Sequence, residues 1–386
     1  MKSRAITLFL IGLLFCGSSA FNQGHSVITL SGRVLDAEND APIANVNVFL
    51  SNTMLGAATN QNGEFTIPGA ALGTQQLVIS CIGYETQRIP LRLTTAKDRS
   101  YEIKLAPKIL EAPAVNIYST QPVEWKKQLQ EFEKLFLGTS RNAAKTSIVN
   151  PEVLDFKIDD AANQFTAEAS DILHIENRAL GYRIFYLLES FSLQNEIVKY
   201  TGSAKFEHLT PQNEKEAKQW VRNRHRTHRG SLRHFLAALA LEQVKNAGFL
   251  VYKMPELQED VYTAELQEVN LKSLLSAGEL PFERNLHFFE CLQVVYSKEM
   301  EEQEYIYWRL NYDKSAMRMN TQKRHESLRP HAQTSWIVMN KTFATFDTAG
   351  YLYDPLAVTV YGYWGWQSVA DLLPYEYAPD RSWKDN

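Results

Sequence analysis

The sequence predicts a mainly β protein, a β-sandwich followed by an α+β domain of antiparallel sheet with packed helices. Three observations predict it. From Val27 to Leu105, apolar and polar side chains alternate, with Gly, Pro and Asn punctuation at about 8–12-residue spacing. After Pro122 the period becomes helical, with Trp125, Leu129, Phe132 and Phe136 on one stripe. Beyond two further helical stretches, alternation returns in "CLQVVYSK", "EYIYWRLNY", "TSWIVMNKTFATFDTAG" and "YLYDPLAVTVYGYWGW".

Residues 1–20 read as an export signal. Lys2 and Arg4 precede an apolar run, Ile6 to Phe15, too short to span a membrane, and Ser18 and Ala20 fit a small-x-small cleavage pattern. The mature chain is then expected to start at Phe21, placing the protein in the periplasm, on the outer membrane or outside the cell. The rival is acylation at Cys16, disfavoured because Phe15 stands where lipid-modifying enzymes require a small residue. The remaining length of about 366 residues suits two or three domains. No later stretch is long and apolar enough to span a membrane, and a net charge of −4 argues against nucleic acid as a partner. Cys81 and Cys291 fall in different expected domains and are read as separate buried thiols.

Residues 21–105 form the expected sandwich, with Val34, Val46, Val48, Phe65, Ile67, Leu77, Ile79 and Ile89 inward. Asn60 to Gly63 supply residues that tolerate positive φ in a tight turn. Residues 106–121, with two prolines and no period, are the linker. Residues 122–386 form the second domain. Its first helix ends at Gly138, three strand pairs occupy Asn150 to Leu209, and helices follow from Pro211 and Ser231. Thr210 and Ser231 are N-cap types, Gly248 is placed to end the second of these helices, and a further helix is read at Ala264 to Ala277.

The run from Ser31 to Leu91 resembles a carboxypeptidase regulatory-like domain. It is carried by Gly32, Val34, Asp36, Pro42-Ile43, Val46, Val48, Gly56, Thr59, Gly63, Phe65, Pro68, Gly73 and Ile82-Gly83-Tyr84. The resemblance implies a transthyretin-like, seven-stranded sandwich and an accessory role, because the domain accompanies receptor barrels or metallopeptidases. Too little chain follows for a receptor barrel. A zinc carboxypeptidase would need His-x-x-Glu and a distant third histidine. His287 and Glu290 give the first spacing, but His325 and His331 lie too close, so metallocarboxypeptidase activity and a metal are not expected. The strings "NPEVLDF", "IENRALGYRIFYLLESF" and "RGSLRHFLAAL" resemble exported bacterial proteins that carry this sandwich before the same second domain, a resemblance that implies no activity.

Three groups of side chains are candidates for chemistry. "WVRNRHRTHRGSLRHF" holds five arginines and three histidines without an acid. Arg222, Arg224, Arg226, Arg229, Ser231 and His234 are its candidate anion site, combining guanidinium groups with free N–H groups at a helix start. The competing and preferred reading pairs these arginines with Glu256 to Glu304, where twelve acids face three bases; Arg224 is expected to be the buried member. His174 and Glu176 share one side of a strand, as acid–base chemistry requires, and are read as a structural pair. Tyr361, Tyr363, Trp364 and Trp366 are a candidate sugar platform, weighed against service in the core. No Ser-x-x-Lys, Gly-x-Ser-x-Gly, His-Glu-x-x-His or glycine-rich phosphate loop occurs, and no cofactor is expected. The reading is an exported, non-catalytic envelope protein whose partner is another envelope protein or a glycan. The alternative is a glycan or peptide hydrolase with its site in the second domain.

Overall fold

The computed structural model describes residues 26–108, 123–195, 197–254, 257, 267–312 and 328–379. The expected signal, with Cys16, and residues 109–122 lie outside them. The chain is mainly β, as the alternation predicts.

Seven strands build the N-terminal unit: β1 (Val27–Asp36), β2 (Asn47–Leu50), β3 (Gly56–Ala58), β4 (Glu64–Ala71), β5 (Gly73–Ser80), β6 (Gln87–Leu93) and β7 (Arg99–Leu105). They form two sheets, ordered β4-β1-β7 and β3-β2-β5-β6. Val34, Val46, Val48, Phe65, Ile67, Leu77 and Ile79 close the space between them, while Ile89 is only partly buried. The turn before β4 forms because Asn60 Oδ1 accepts from the N–H groups of Asn62 and Glu64, both at 2.9 Å. Gly63 sits there at φ +74°, and a Cβ would lie 2.4 Å from the Val34 carbonyl.

The second region opens with α1 (Val123–Phe136) and continues through β8 (Thr146–Ile148), β9 (Leu154–Asp159), β10 (Gln164–Ala169), β11 (Leu173–Asn177), β12 (Tyr182–Gln194) and β13 (Ile197–His208). These strands form one sheet, β8-β11-β12-β10-β9, with β13 along β12. The predicted stripe covers it: Phe132 and Phe136 are fully buried and meet Phe191 and Tyr186 edge-on at 4.7 and 5.1 Å.

Then come α2 (Glu214–His228), α3 (Leu232–Ala240), α4 (Val244–Ala247), β14 (Phe249–Met254), β15 (Gln267–Glu268), β16 (Leu275–Ala277), β17 (Glu283–Leu286) and β18 (Cys291–Met300). Helix α5 (Gln303–Tyr312), β19 (Ala332–Met339), β20 (Ala344–Asp347), β21 (Val358–Gly362) and α6 (Tyr363–Trp366) complete the order. A five-stranded sheet, β15-β14-β18-β19-β21, adjoins a three-stranded sheet, β16-β17-β20. Phe235, Leu236 and Leu239 of α3 pack against them. Residues 123–379 thus contain a second apolar cluster, separate from the one under α1.

Four local expectations need correction. "EYIYWRLNY" lies in helix α5 rather than a strand, because the adjacent Tyr305 and Ile306 are both buried and Arg309, one turn on, reaches Glu301 at 3.5 Å. Ala264 to Ala277 is not a helix among its described residues, which give β15, a 3-10 turn at Leu271–Leu274 and β16. Asn213, not Thr210, caps α2, its side chain accepting from the Glu216 N–H at 3.0 Å. Ser231 does cap α3, but that segment breaks into α3 and α4 before Gly248 ends it at φ +101°.

The sandwich is seated on the second region by backbone pairing. The Asn52 N–H donates to Ala204 at 2.6 Å, Phe206 donates to Thr53 at 2.9 Å, and Tyr375 donates to Asn52 at 2.8 Å. The β2–β3 turn thereby extends the edge of β13. Farther along, Arg88 meets Glu189 at 2.5 Å, and Arg92 reaches the turn before β17.

Candidate binding cleft

The arginines of α2 diverge. Arg222 is exposed. Arg224 donates to the Leu180 and Gly181 carbonyls at 2.6 and 3.2 Å and lies over the Tyr182 ring at 4.1 Å. Trp220 is buried beside it, whereas Val221 is exposed. Arg226 faces Glu302 at 3.8 Å, and Arg229 meets Glu299 at 3.0 Å. The anions on these last two are the chain's own carboxylates, from the acidic segment. Ser231 spends its hydroxyl on capping, and His234 accepts from the Gly230 N–H at 3.1 Å. Burial, helped by Lys298 and Arg229, pushes His234 down to about 4, so it adds no positive charge at neutral pH. The candidate anion cradle is not assembled.

The candidate sugar platform is not presented to solvent either. Tyr363, Trp364 and Trp366 are buried in α6. Trp364 donates its indole N–H to the Gly230 carbonyl at 2.6 Å, and Trp366 donates to Thr139 at 2.9 Å. Tyr361 is partly buried against Met254, Cys291 and Trp336. The strand ends at Gly362, so the alternation that would have turned these rings outward stops there. His174 and Glu176 share a side of β11, yet Glu176 pairs with Arg183 at 2.9 Å while His174 packs on Phe185 at 5.0 Å. Glu290 likewise pairs with Lys253 at 3.0 Å, and no metal-ligand cluster occurs among the described residues.

The geometry that does converge lies where the two sheets of the last cluster exchange strands. His287 to Glu290 links β17 to β18, and Asn340 to Phe343 links β20 to β19. Because β17 pairs with β20 and β18 with β19, these links run side by side. In the first, Phe288 packs on the core and Phe289 stands 88% exposed; in the second, Phe343 is 53% exposed. Asn340 pins its link by donating to the Leu356 carbonyl at 3.1 Å and to Thr359 Oγ1 at 2.9 Å, and Lys341 holds Asp354 at 2.5 Å.

On one side of Phe343 lies a cavity of about 800 Å³, walled by Thr74 and Arg92 of the sandwich and by Glu279, Glu283, Asn285 and Tyr353. On the other lies one of about 620 Å³, with Ser276, His287 and Phe289. Asn285, Lys341, Thr342 and Phe343 line both, so the two cavities adjoin and are treated together as one open cleft. Both volumes lie in the range of about 300–1,000 Å³ usual for ligand sites.

The sandwich wall is fixed by a two-pronged ion pair. Arg92 grips both oxygens of Glu283, one at 2.7 Å, and its outer edge meets Glu279 at 2.8 Å. Burial pushes the Glu283 carboxyl up, but hydrogen bonds from Arg92 and the Leu280 N–H outweigh it and hold the group below its usual range. Beside it, burial and the neighbouring Asp347 and Glu283 raise the Tyr353 phenol. Gly73, at φ +118°, allows the close approach, since a Cβ there would lie 2.5 Å from the Tyr353 hydroxyl. Sequence reasoning missed this cleft. Its two exposed rings sit in four-residue links, where neither period says which of Phe288 and Phe289 turns outward.

Residues 30–117 match the family profile of the CarboxypepD_reg-like domain, and the N-terminal sandwich belongs to that family. No curated protein matches the sequence. Among solved structures, a type II cohesin–X-dockerin complex from Acetivibrio cellulolyticus is 27% identical, with 20% of this chain and 56% of that chain covered and a TM-score of 0.18. The pilus 2b backbone protein of group B streptococcus is 18% identical over 21% of this chain and 41% of that one, also at 0.18. A candidate carbohydrate-binding protein from Bacteroides uniformis is 10% identical over 42% of this chain and 60% of that one, again at 0.18. The chain thus spans less than two thirds of each, and likenesses at this TM-score carry no statement about ligand or partner.

Proposed function

We propose that the protein is an exported, non-catalytic binding protein of the bacterial envelope that holds its ligand in the cleft beside Phe343. One observation carries this reading. Each carboxylate lining the cleft is already engaged by a cation: Glu279 and Glu283 by Arg92, Asp354 by Lys341, and Glu290 by Lys253. General acid–base hydrolysis needs two titratable groups converging on a reacting bond, one of them able to release or take a proton near neutrality. Paired carboxylates are poor candidates for that work, and two exposed phenylalanine rings offer contact area without chemistry. The CarboxypepD_reg-like domain fits the same role, since it supplies a wall of the cleft and no reactive group. No helix among the described residues is long and apolar enough to cross a membrane. Incubating the full chain with envelope glycans and peptides, then analysing bound and free fractions by mass spectrometry, tests the reading. The expected result is a retained ligand recovered intact, and cleavage that depends on the cleft residues would overturn it.

A further inference from the structure

We infer that the cleft takes a neutral oligosaccharide, laid across the two adjacent links with Phe343 and Phe289 as successive stacking platforms; this rests on the binding role proposed above. Charge is the first argument. Arg92, Lys341, Glu279, Glu283, Glu290 and Asp354 all line the cleft, and each already has an oppositely charged partner. An anionic ligand would have to compete with Asp354 for Lys341 or take Arg92 from Glu283, whose side chain is 0% exposed, and leave that carboxylate buried without its counter-ion. A cationic ligand would have to displace Arg92 or Lys341. A neutral polar ligand disturbs neither.

The second argument is the mixture of surfaces. A pyranose ring has an apolar C–H face and an edge of hydroxyl groups. Phe343 and Phe289 offer flat apolar faces, and phenylalanine lacks a polar handle, so the hydrogen bonds must come from neighbours. Asn285, Thr342, Thr345 and Ser276 stand around the rings with amide and hydroxyl groups, and Thr345 orients Asn285 through a hydrogen bond of 2.7 Å. Both cavities open onto Phe343, so a chain of sugar units can continue from one to the other. The links are held in place by Asn340 and by the Lys341–Asp354 pair, which lowers the ordering cost of binding.

An extended peptide fits less well. Peptides commonly add to a free strand edge, whereas β17, which supplies Glu283 and Asn285 to the cleft, is already paired on one side with β16 and on the other with β20.

Titration calorimetry on the full chain with malto- and cello-oligosaccharides of increasing length tests the inference, with oligogalacturonate and a tryptic peptide digest as competing probes. The expected result is saturable binding of a neutral series, tighter with length and insensitive to added salt. Phe343→Ala should weaken binding of every length about tenfold, Phe343→Trp should retain it, and Phe289→Ala should weaken only the longer members. Both alanine variants should melt with the wild type, because the rings are exposed. Preferential binding of oligogalacturonate or peptides would overturn the ligand class and leave the binding role standing. Neutral-sugar binding untouched by both alanine variants would overturn the placement. Binding of no probe at all would count against both.

Discussion

Replacing Arg92 by alanine isolates the contact that closes the cleft on its sandwich side. Two carboxylates lose a partner, with unequal consequences. Glu279 has a side chain 70% exposed, so water takes over and the loss is about 0–1 kcal/mol. Glu283 is 0% exposed and loses both charged hydrogen bonds, leaving an uncompensated buried charge that costs about 3–5 kcal/mol near neutral pH. The pH dependence gives the sign. In the wild type the folded pKa of Glu283 lies below its ordinary value of 4.5. Its stabilising contribution is therefore present above 4.5 and is lost as pH falls through the folded value. In Arg92→Ala, burial acts unopposed by the arginine and lifts the folded value, so the variant becomes less stable as pH rises through the mid-acid range. The gap between the two proteins should be widest near neutrality and narrow towards pH about 4. Urea unfolding at both pH values, followed by indole emission, measures it. All seven tryptophans lie beyond residue 122, so the signal reports the second region. Adding Glu283→Gln to Arg92→Ala should restore much of the loss. A cost under about 1 kcal/mol at neutral pH, or an equal cost at both pH values, would refute the reasoning.

Gly73→Ala should loosen the seat of the sandwich by about 1–3 kcal/mol, because the methyl group meets the Tyr353 hydroxyl at 2.5 Å and the backbone is at φ +118°; limited proteolysis at the junction reads this. Arg233→Ala should be far more damaging than Arg222→Ala. Arg233 donates to the carbonyls of Ala349, Pro374, Tyr375 and Tyr377, whereas Arg222 is exposed and should cost within about 0.5 kcal/mol by thermal unfolding. Asp371 accepts from Ser140 and Asn142, and burial raises its carboxyl to about 6 despite those bonds. A raised acid binds its proton more tightly in the folded state, so stability should fall as pH rises from about 4 to about 6, and Asp371→Asn should flatten that slope.

The sandwich was legible because one face of each strand is buried and the other wet, and period two records that asymmetry in Val46, Val48, Leu77 and Ile79. The α1 stripe was legible for the same reason at the helical period. Helix α5 was not, because Tyr, Ile and Trp favour strands locally and only packing of Tyr305 and Ile306 against the rest of the chain selects a helix. The aromatic C-terminal run was open to two readings, platform or core, and the turn into α6 at Gly362 makes Tyr363, Trp364 and Trp366 core. The pairing of Arg226 and Arg229 with acids was readable from charge, whereas the turn of Arg224 onto the Leu180 and Gly181 carbonyls was not. The cleft itself was not, because Arg92, Glu283, Phe289 and Phe343 are brought together from separate parts of the chain by the docking of one unit on another.

The most direct measurement of the central claim is hydrogen–deuterium exchange on the full chain, with and without the tightest-binding neutral oligosaccharide. Binding in the cleft should slow exchange at residues 279–289 and 340–345 and leave the α2 arginine helix and the C-terminal α6 run unchanged. Protection centred on α2, on α6 or on no segment, or release of shortened sugar during the experiment, would contradict the account.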